Sequence, residues 1–513
     1  MPATHLGPFA VTARLGAGGM GVVHAAEHVP TRTPVAVKLL RRSQDRGDTT
    51  QARFADEVRA VARLDHPHVV QVYDHGVLTA PALDLPVGTP WLVMERAQAS
   101  LAERVREHGR PPLAGVVDLL AAATHALAHA HAHGVLHRDV KPGNLLFAVD
   151  RAGRQRLILA DFGIAAVAQR PDAVAGTPSW MAPEQFRPDG PLGPWTDLYA
   201  VGVLGWWLLT GTTPYGDGDW DDLAVAHRME SLPRLRSDAP AALRDLVIGL
   251  LAKEPGRRPT ASAVLGELEV LTAPPPPRWA ASLPAAPVPP VRLADAGLGL
   301  LGLRAPPFTA REEEREQLFA ALAEAAWEGK ARTVLLRAPS GIGKTRLATH
   351  FARSALEEGL AGTSMVVRPG DDELGGALVR ALGLPASGSA HAFLADHPVA
   401  GRLARRDRVD LGDWLRGRPP GRPRDRVALV DRLLRASGGR GNALLVLDDL
   451  QDCADGLLLA EHLAAAPPTQ VLVVATVRTD ALADRPAVAE RIDRIAAQDA
   501  VRVVTVPPLD TAA

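Results

Sequence analysis

His137-Arg138-Asp139-Val140-Lys141-Pro142-Gly143-Asn144 gathers a carboxylate, several basic groups and a carboxamide into eight residues, and its reading decides the fold. Polar groups at that density need a scaffold, and five other fragments flank the stretch in a fixed order. Ahead of it lie Gly16-Ala17-Gly18-Gly19-Met20-Gly21-Val22-Val23, the alternating Val35-Ala36-Val37-Lys38, and Glu57 within a run of helical spacing over 53–61. Behind it come Asp161-Phe162-Gly163 and Ala182-Pro183-Glu184. Glycines lack Cβ, so a chain built from them folds tightly over phosphates and turns its N–H groups toward them. A lone glycine motif is weak evidence. Six fragments in workable order leave little room for accident.

The chain has 513 residues, of which 47% are hydrophobic and 22% charged, enough for two or three cored domains. A net charge of −1 argues against a whole-chain nucleic-acid binder. A single cysteine, Cys453, excludes an intrachain disulfide and a cysteine-based zinc site. The N-terminus lacks the basic-then-apolar order of a signal peptide. No uninterrupted apolar run approaches the roughly 18–20 residues of a membrane span, and Ala200 to Leu209 fits a buried helix. The expectation is a soluble, cytoplasmic protein with no membrane partner.

Over 6–271 these motifs resemble the bacterial eukaryotic-like serine/threonine protein kinases. The resemblance implies a bilobal α+β fold, ATP and Mg²⁺ as cofactors, and protein serine or threonine hydroxyls as substrate. Gly16, Gly18 and Gly21 would cover the phosphates, and Val23 would pack on the adenine. Lys38 would meet the α- and β-phosphates and pair with Glu57, which is preferred over the neighbouring Asp56. Asp139 would accept the substrate proton, Lys141 would meet the transferred phosphate, and Asn144 and Asp161 would hold Mg²⁺. Glu184 should pair with Arg258, and Asp197 should brace the backbone of the catalytic loop. One departure stands out: between Gly163 and Ala182 the only hydroxyls are Thr177 and Ser179. Arg138 therefore lacks the usual phosphothreonine partner. Asp172 either supplies a weaker fixed anion there or is simply solvated. His125, His129, His131, His133 and His137 lack the His-Glu-x-x-His pattern and read as a helix entering the catalytic loop, not as a metal site.

A Pro/Ala-rich stretch over 272–297 reads as a semi-rigid linker. Beyond it, over 298–513, short apolar strands at 333–337, 364–367, 443–447, 471–476 and 501–506 alternate with helical segments, which predicts an α/β domain with a parallel sheet. Ala338-Pro339-Ser340-Gly341-Ile342-Gly343-Lys344-Thr345 follows a strand and opens a helix, the context of a P-loop, with Ala338 in place of the first glycine. Gly341, Gly343, Lys344 and Thr345 would bind phosphates, with Thr345 and Asp448 on Mg²⁺ and Asp449 on the attacking water. This block resembles the nucleotide-binding module of AAA-type and STAND ATPases. Ala310-Arg311-Glu312 resembles that family's Gly-Arg-Glu motif with alanine replacing the glycine, and Arg478 sits where a phosphate-sensing residue is common. The family's helical lid would begin near 513, so the block reads as minimal or truncated and as a weak ATPase. Residues 402–426 hold nine arginines against four aspartates and read as a solvated linker, which argues against nucleic acid as a partner. The combined expectation is a protein kinase fused to a nucleotide-binding regulatory module, with self-association as a further expectation. The rival is a non-catalytic nucleotide-binding scaffold or nucleotide-switched regulator.

Overall fold

The computed structural model describes residues 4–18, 21–40, 58–149, 155–162, 177–187, 190–271, 293, 308, 310–328, 332–370, 373–384, 389–437, 442–465 and 470–509. Glu57, Gly163, Asp172 and nearly all of the 272–297 stretch lie outside these residues. The chain forms two compact units, Met1–Pro188 with Gly193–Pro306, and Asp189–Leu192 with Pro307–Ala513.

The first unit opens with an antiparallel sheet in the order β1-β2-β3-β4-β6-β5. Its strands are β1 (His5–Leu6), β2 (Phe9–Gly18), β3 (Gly21–His28), β4 (Thr33–Leu40), β5 (Val72–Val77) and β6 (Pro90–Glu95). Strand β4 shows how the alternation works. Val35, Val37 and Leu39 bury in one apolar cluster, while Ala36 and Lys38 point to the other face. The glycine hairpin joins β2 to β3, and the register sets Val23 opposite Lys38. A Cβ on Gly21 would stand 2.1 Å from the carbonyl oxygen of Leu39, so close strand packing requires glycine there. Gly16 has open space where its Cβ would be, which leaves room above the cleft.

The second lobe of this unit is mainly helical. Strand β7 (Ala99–Ser100) leads into α1 (Leu101–His108), followed by α2 (Leu113–Ala132). The hairpin of β8 (Leu145–Val149) and β9 (Gln155–Leu159) follows the catalytic stretch, and then come α3 (Pro194–Thr210), α4 (Trp220–Met229), α5 (Ala241–Leu250) and α6 (Ala261–Leu271). Helix α3 contains the expected apolar run Ala200 to Leu209 and is buried along most of its length. Among the described residues α2 is the one helix long and apolar enough to cross a membrane, and most of it is packed into this lobe's core.

The second unit is a three-layer α/β domain. Its five strands are β10 (Arg332–Ala338), β11 (Ala361–Val367), β12 (Asn442–Leu447), β13 (Val471–Arg478) and β14 (Val501–Thr505), all parallel in the order β11-β12-β13-β10-β14. Each central strand feeds two cores. Leu444, Val446, Leu472 and Val474 face the helices α7 (Glu312–Glu328) and α8 (Lys344–Glu357), while Leu445, Leu447, Val473 and Ala475 face the opposite layer. Burial on both faces is why these strands read as continuous apolar runs. The opposite layer comprises α9 (Glu373–Leu382), α10 (Ala390–Asp396), α11 (Arg405–Trp414), α12 (Pro423–Ser437), α13 (Ala454–Ala464) and α14 (Pro486–Ala496).

Residues 402–426 correct the expectation of a solvated linker. Most of the stretch folds into α11 and the start of α12, and Trp414 is buried in the core. Arg408 donates to Gly401 O and Leu403 O, Arg426 pairs with Asp455, and Asp407 pairs with Arg432. The high arginine content hid α11, whose buried apolar side chains are Leu411 and Trp414, and the arginine-rich first turn of α12, which precedes that helix's buried apolar face.

Candidate active site

The catalytic stretch is held from below by one buried carboxylate. Asp197, in the first turn of α3, accepts from the backbone N–H of Arg138 at 2.7 Å and of His137 at 2.9 Å, and from His131 Nε2 at 2.7 Å. Burial pushes this carboxyl's pKa up, but the bond and charge of His131, helped by His137, outweigh it and hold the pKa below the ordinary aspartate value. Arg138 has φ of 66°, a left-handed conformation uncommon for a side chain of its size. Both ends of its peptide unit are fixed, since Gln185 Nε2 donates to Arg138 O at 2.8 Å. His137 is buried, accepts from Asp139 N–H at Nδ1 at 3.2 Å and meets Ala160 O from Nε2 at 2.8 Å, which fixes the ring's orientation.

These braces bring the predicted catalytic groups together. Lys141 Nζ lies 2.7 Å from Asp139 Oδ2 and 2.7 Å from Thr177 Oγ1. Asn144 Nδ2 donates to Asp139 O at 2.7 Å and Oδ2 at 3.1 Å, leaving its amide oxygen for another partner. Thr177 N–H donates to Asp139 Oδ1 at 3.2 Å. Across the cleft Lys38, almost fully buried, pairs with Asp161 Oδ1 at 2.8 Å, and Asp161 has φ of 65°. The Lys38–Glu57 pair lies outside the described residues. Beside Lys38, Val23, Ala36, Val70, Met94, Ala97 and Leu146 form one apolar cluster, a lining suited to a flat purine.

Glu184 and Arg258 make the expected pair, bidentate and buried, at 2.7 and 2.9 Å. Thr196 donates to Glu184 Oε1 at 2.8 Å and ties that pair to α3. The two hydroxyls that precede Ala182, Thr177 and Ser179, both turn inward. Thr177 binds Lys141, and Ser179 donates to Asp217 at 3.5 Å. Gln185 is a positioning residue that motif reading missed, and Thr177, noted in the sequence only as a hydroxyl, is a second. Their only signal was adjacency to Pro178 and Glu184.

In the second unit the predicted phosphate-binding residues also converge. Gly341 and Gly343 have φ of 79° and 94°, where side chains are strained, and α8 starts at Lys344. Ala338 ends β10, buried and paired with Arg478, so the first position of the loop needs no glycine here. Lys344 Nζ donates to Pro339 O at 2.6 Å. Thr345 Oγ1 and Thr476 Oγ1 both donate to Asp448 Oδ1, at 2.7 and 2.8 Å. Thr476 also accepts from Asp449 N–H at 2.8 Å, fixing a residue whose φ is 47°. Arg478 lies 3.5 Å from Asp449 Oδ1 and 2.6 Å from Asp452 Oδ2. Arg311 donates to Ile342 O at 3.3 Å, so the Arg-Glu motif touches the P-loop directly. Sequence reading missed Thr476, because a threonine inside a buried strand carries no motif.

The family model described as protein kinase domain matches residues 9–268, and that described as AAA ATPase domain matches 307–475. Serine/threonine-protein kinase Pkn1 of Myxococcus xanthus is 38% identical over 264 residues, covering 49% of this chain and 36% of that protein. Serine/threonine-protein kinase pkn3 of the same organism is 33% identical over 279 residues, covering 51% and 50%. The DNA damage-responsive serine/threonine-protein kinase RqkA of Deinococcus radiodurans is 35% identical over 277 residues, covering 52% and 39%. The chain thus spans half or less of the length of these relatives. With a family model over half of the chain, and with its own carboxylate, lysine and asparagine gathered in one braced loop, this chain belongs to the protein kinase family and carries an AAA ATPase domain behind its kinase domain.

Proposed function

We propose that this chain transfers the γ-phosphate of ATP to serine or threonine hydroxyls of proteins, and that its second unit binds nucleotide as a regulatory module with at most weak ATPase activity. One observation carries the kinase reading: Asp139, Lys141, Asn144 and Thr177 share a hydrogen-bonded network with contacts of 2.7–3.2 Å. Pseudokinases commonly lose one of the polar residues, and this chain keeps Lys38, Asp139, Asn144 and Asp161.

In this reading Asp139 orients the substrate hydroxyl and takes its proton as the oxygen attacks the γ-phosphorus and the bond to the bridging oxygen of ADP breaks. Lys141 sits beside that carboxylate, where its charge stabilises the transferring phosphoryl group. Lys38 holds the remaining phosphates. The Asn144 amide oxygen and the Asp161 carboxylate are hard oxygen donors that fit Mg²⁺, which supplies charge neutralisation on the phosphate oxygens. Thr345 and Asp448 form the equivalent donor pair of the second unit. The one cysteine, Cys453, is buried and suits a reducing cytoplasm, the compartment this reading assigns.

The test is transfer from γ-labelled ATP and Mg²⁺ to the chain itself and to a generic basic protein, followed by phosphoamino-acid analysis. Label on serine or threonine is expected. Label on tyrosine would overturn the serine/threonine assignment, and ATP binding without transfer would favour the scaffold reading.

A further inference from the structure

The P-loop of the second unit is tied to the turn that follows β13. Thr479 N–H donates to Ala338 O at 3.1 Å, at the start of the loop. The next residue, Asp480, accepts at Oδ1 from the backbone N–H of Ser340 at 3.1 Å. A carboxylate thus faces an amide of a loop whose other amides are arranged for phosphate. Ser340 and Asp480 are both exposed, so the contact is not forced by core packing.

Asp480 also belongs to the electrostatic surroundings of Lys344, the side chain that reaches the β- and γ-phosphates. Burial lowers the pKa of that ammonium, and the Asp449 and Asp480 carboxylates act against the lowering. Two residues before Asp480, Arg478 faces Asp449 at the Asp448–Asp449 side of the site, where the metal-bound end of a nucleotide lies. Asp480, bonded to the Ser340 amide and acting on the ammonium that reaches the β- and γ-phosphates, therefore lies on the outer-phosphate side of the loop. ATP carries more negative charge at that end than ADP, so a fixed carboxylate there repels the two nucleotides unequally.

We propose that Asp480 sets the nucleotide preference of the P-loop site, disfavouring ATP relative to ADP by placing its charge at the γ-phosphate end of the loop. The proposal rests on the reading of this unit as a nucleotide-binding module. It assigns a specificity role to a residue outside every motif of that module.

The test uses the full chain with Lys38→Ala to quiet the kinase cleft, and titrates Mg·ATP and Mg·ADP by calorimetry. Asp480→Asn is compared with the parent, with Asp484→Asn as an exposed charge control on the same loop, and with Lys344→Ala. The expected result is ATP binding tightened on the order of fivefold by Asp480→Asn, with ADP changed by less than about twofold and Asp484→Asn without effect. Equal shifts for both nucleotides, no shift, or the same shift in Asp484→Asn would overturn the proposal. If Lys344→Ala leaves binding unchanged, the nucleotide does not occupy this loop, and the module reading and the proposal fall together. If Lys344→Ala abolishes binding while Asp480→Asn is silent, only the proposal fails.

Discussion

Arg138 and Asp161 both sit at positive φ, and both lie where phosphoryl transfer would occur. Such conformations persist only when the surroundings over-determine them. For Arg138 those surroundings are Asp197 on its N–H and Gln185 on its carbonyl. A similar strain occurs in the second unit without a glycine to absorb it. Ala310 and Arg311 have φ of 59° and 77°, and Arg311 is locked by Glu314 at 3.0 Å and by its reach to Ile342 O. Alanine at the position where the related motif carries glycine is therefore the costlier choice. Ala310→Gly is expected to raise the stability of the second unit by about 0.5–1 kcal/mol, after allowing for glycine's greater freedom when unfolded. Thermal unfolding followed by exchange protection of α8 checks it, and no gain would mean that neighbouring contacts already relieve the strain.

At the scale of elements, α4 is fastened to the kinase core through a polar knot. Lys253 Nζ donates to Tyr215 OH at 2.6 Å and to the carbonyls of Ala226 and His227 at 2.9 and 2.7 Å, closing the end of α4. Burial lowers the pKa of this lysine to about 8. His227 lies fully buried with Nδ1 2.8 Å from Tyr199 OH. Burial, with the Lys253 cation adding to it, takes the imidazole from 6.5 down to about 3. The unfolded chain therefore binds a proton that the folded one refuses between those values. Stability from keeping His227 neutral is present above pH 6.5 and is lost as pH falls toward about 3. Within that window the contribution has a slope of about 1.4 kcal/mol per pH unit. His227→Asn keeps an acceptor for Tyr199 and removes the titration, so urea unfolding of the first unit between roughly pH 7 and 5 should show a flatter loss of stability. An unchanged slope would show that His227 takes up its proton while folded.

At the scale of the molecule, the predicted groups were legible where chemistry fixes both residue type and spacing. Asp139, Lys141 and Asn144 gather in one network and Thr345 meets Asp448, while Lys38 meets Asp161, a contact the motifs did not specify, and Lys344 turns to Pro339 O. The parallel sheet was legible because strands buried on both faces are apolar throughout, and each observed strand lies within three residues of its expected ends. Illegible were the residues that act through geometry alone. Thr476 reaches two aspartates from within an unbroken apolar strand, Gln185 caps Arg138 across 47 positions of sequence, and Asp480 meets Ser340 across 140. The helices at 405–414 and 423–437 were hidden for another reason. Arginine-dense first turns, and in the 405–414 helix an apolar face of only Leu411 and Trp414, resemble solvated chain until their partners are known.

The central claim is that the braced loop around Asp139 performs phosphoryl transfer, and its most direct test separates binding from chemistry. ATP affinity at the first site and single-turnover transfer of γ-labelled phosphate are measured on the full chain with Lys344→Ala, which removes the second nucleotide site, beside the same protein carrying Asp139→Asn. Affinity changed by less than about threefold with transfer reduced by a factor on the order of 100 or more is the predicted result. Equal transfer by both proteins would contradict the account, because the carboxylate that the whole loop is built to hold would then have no part in the reaction.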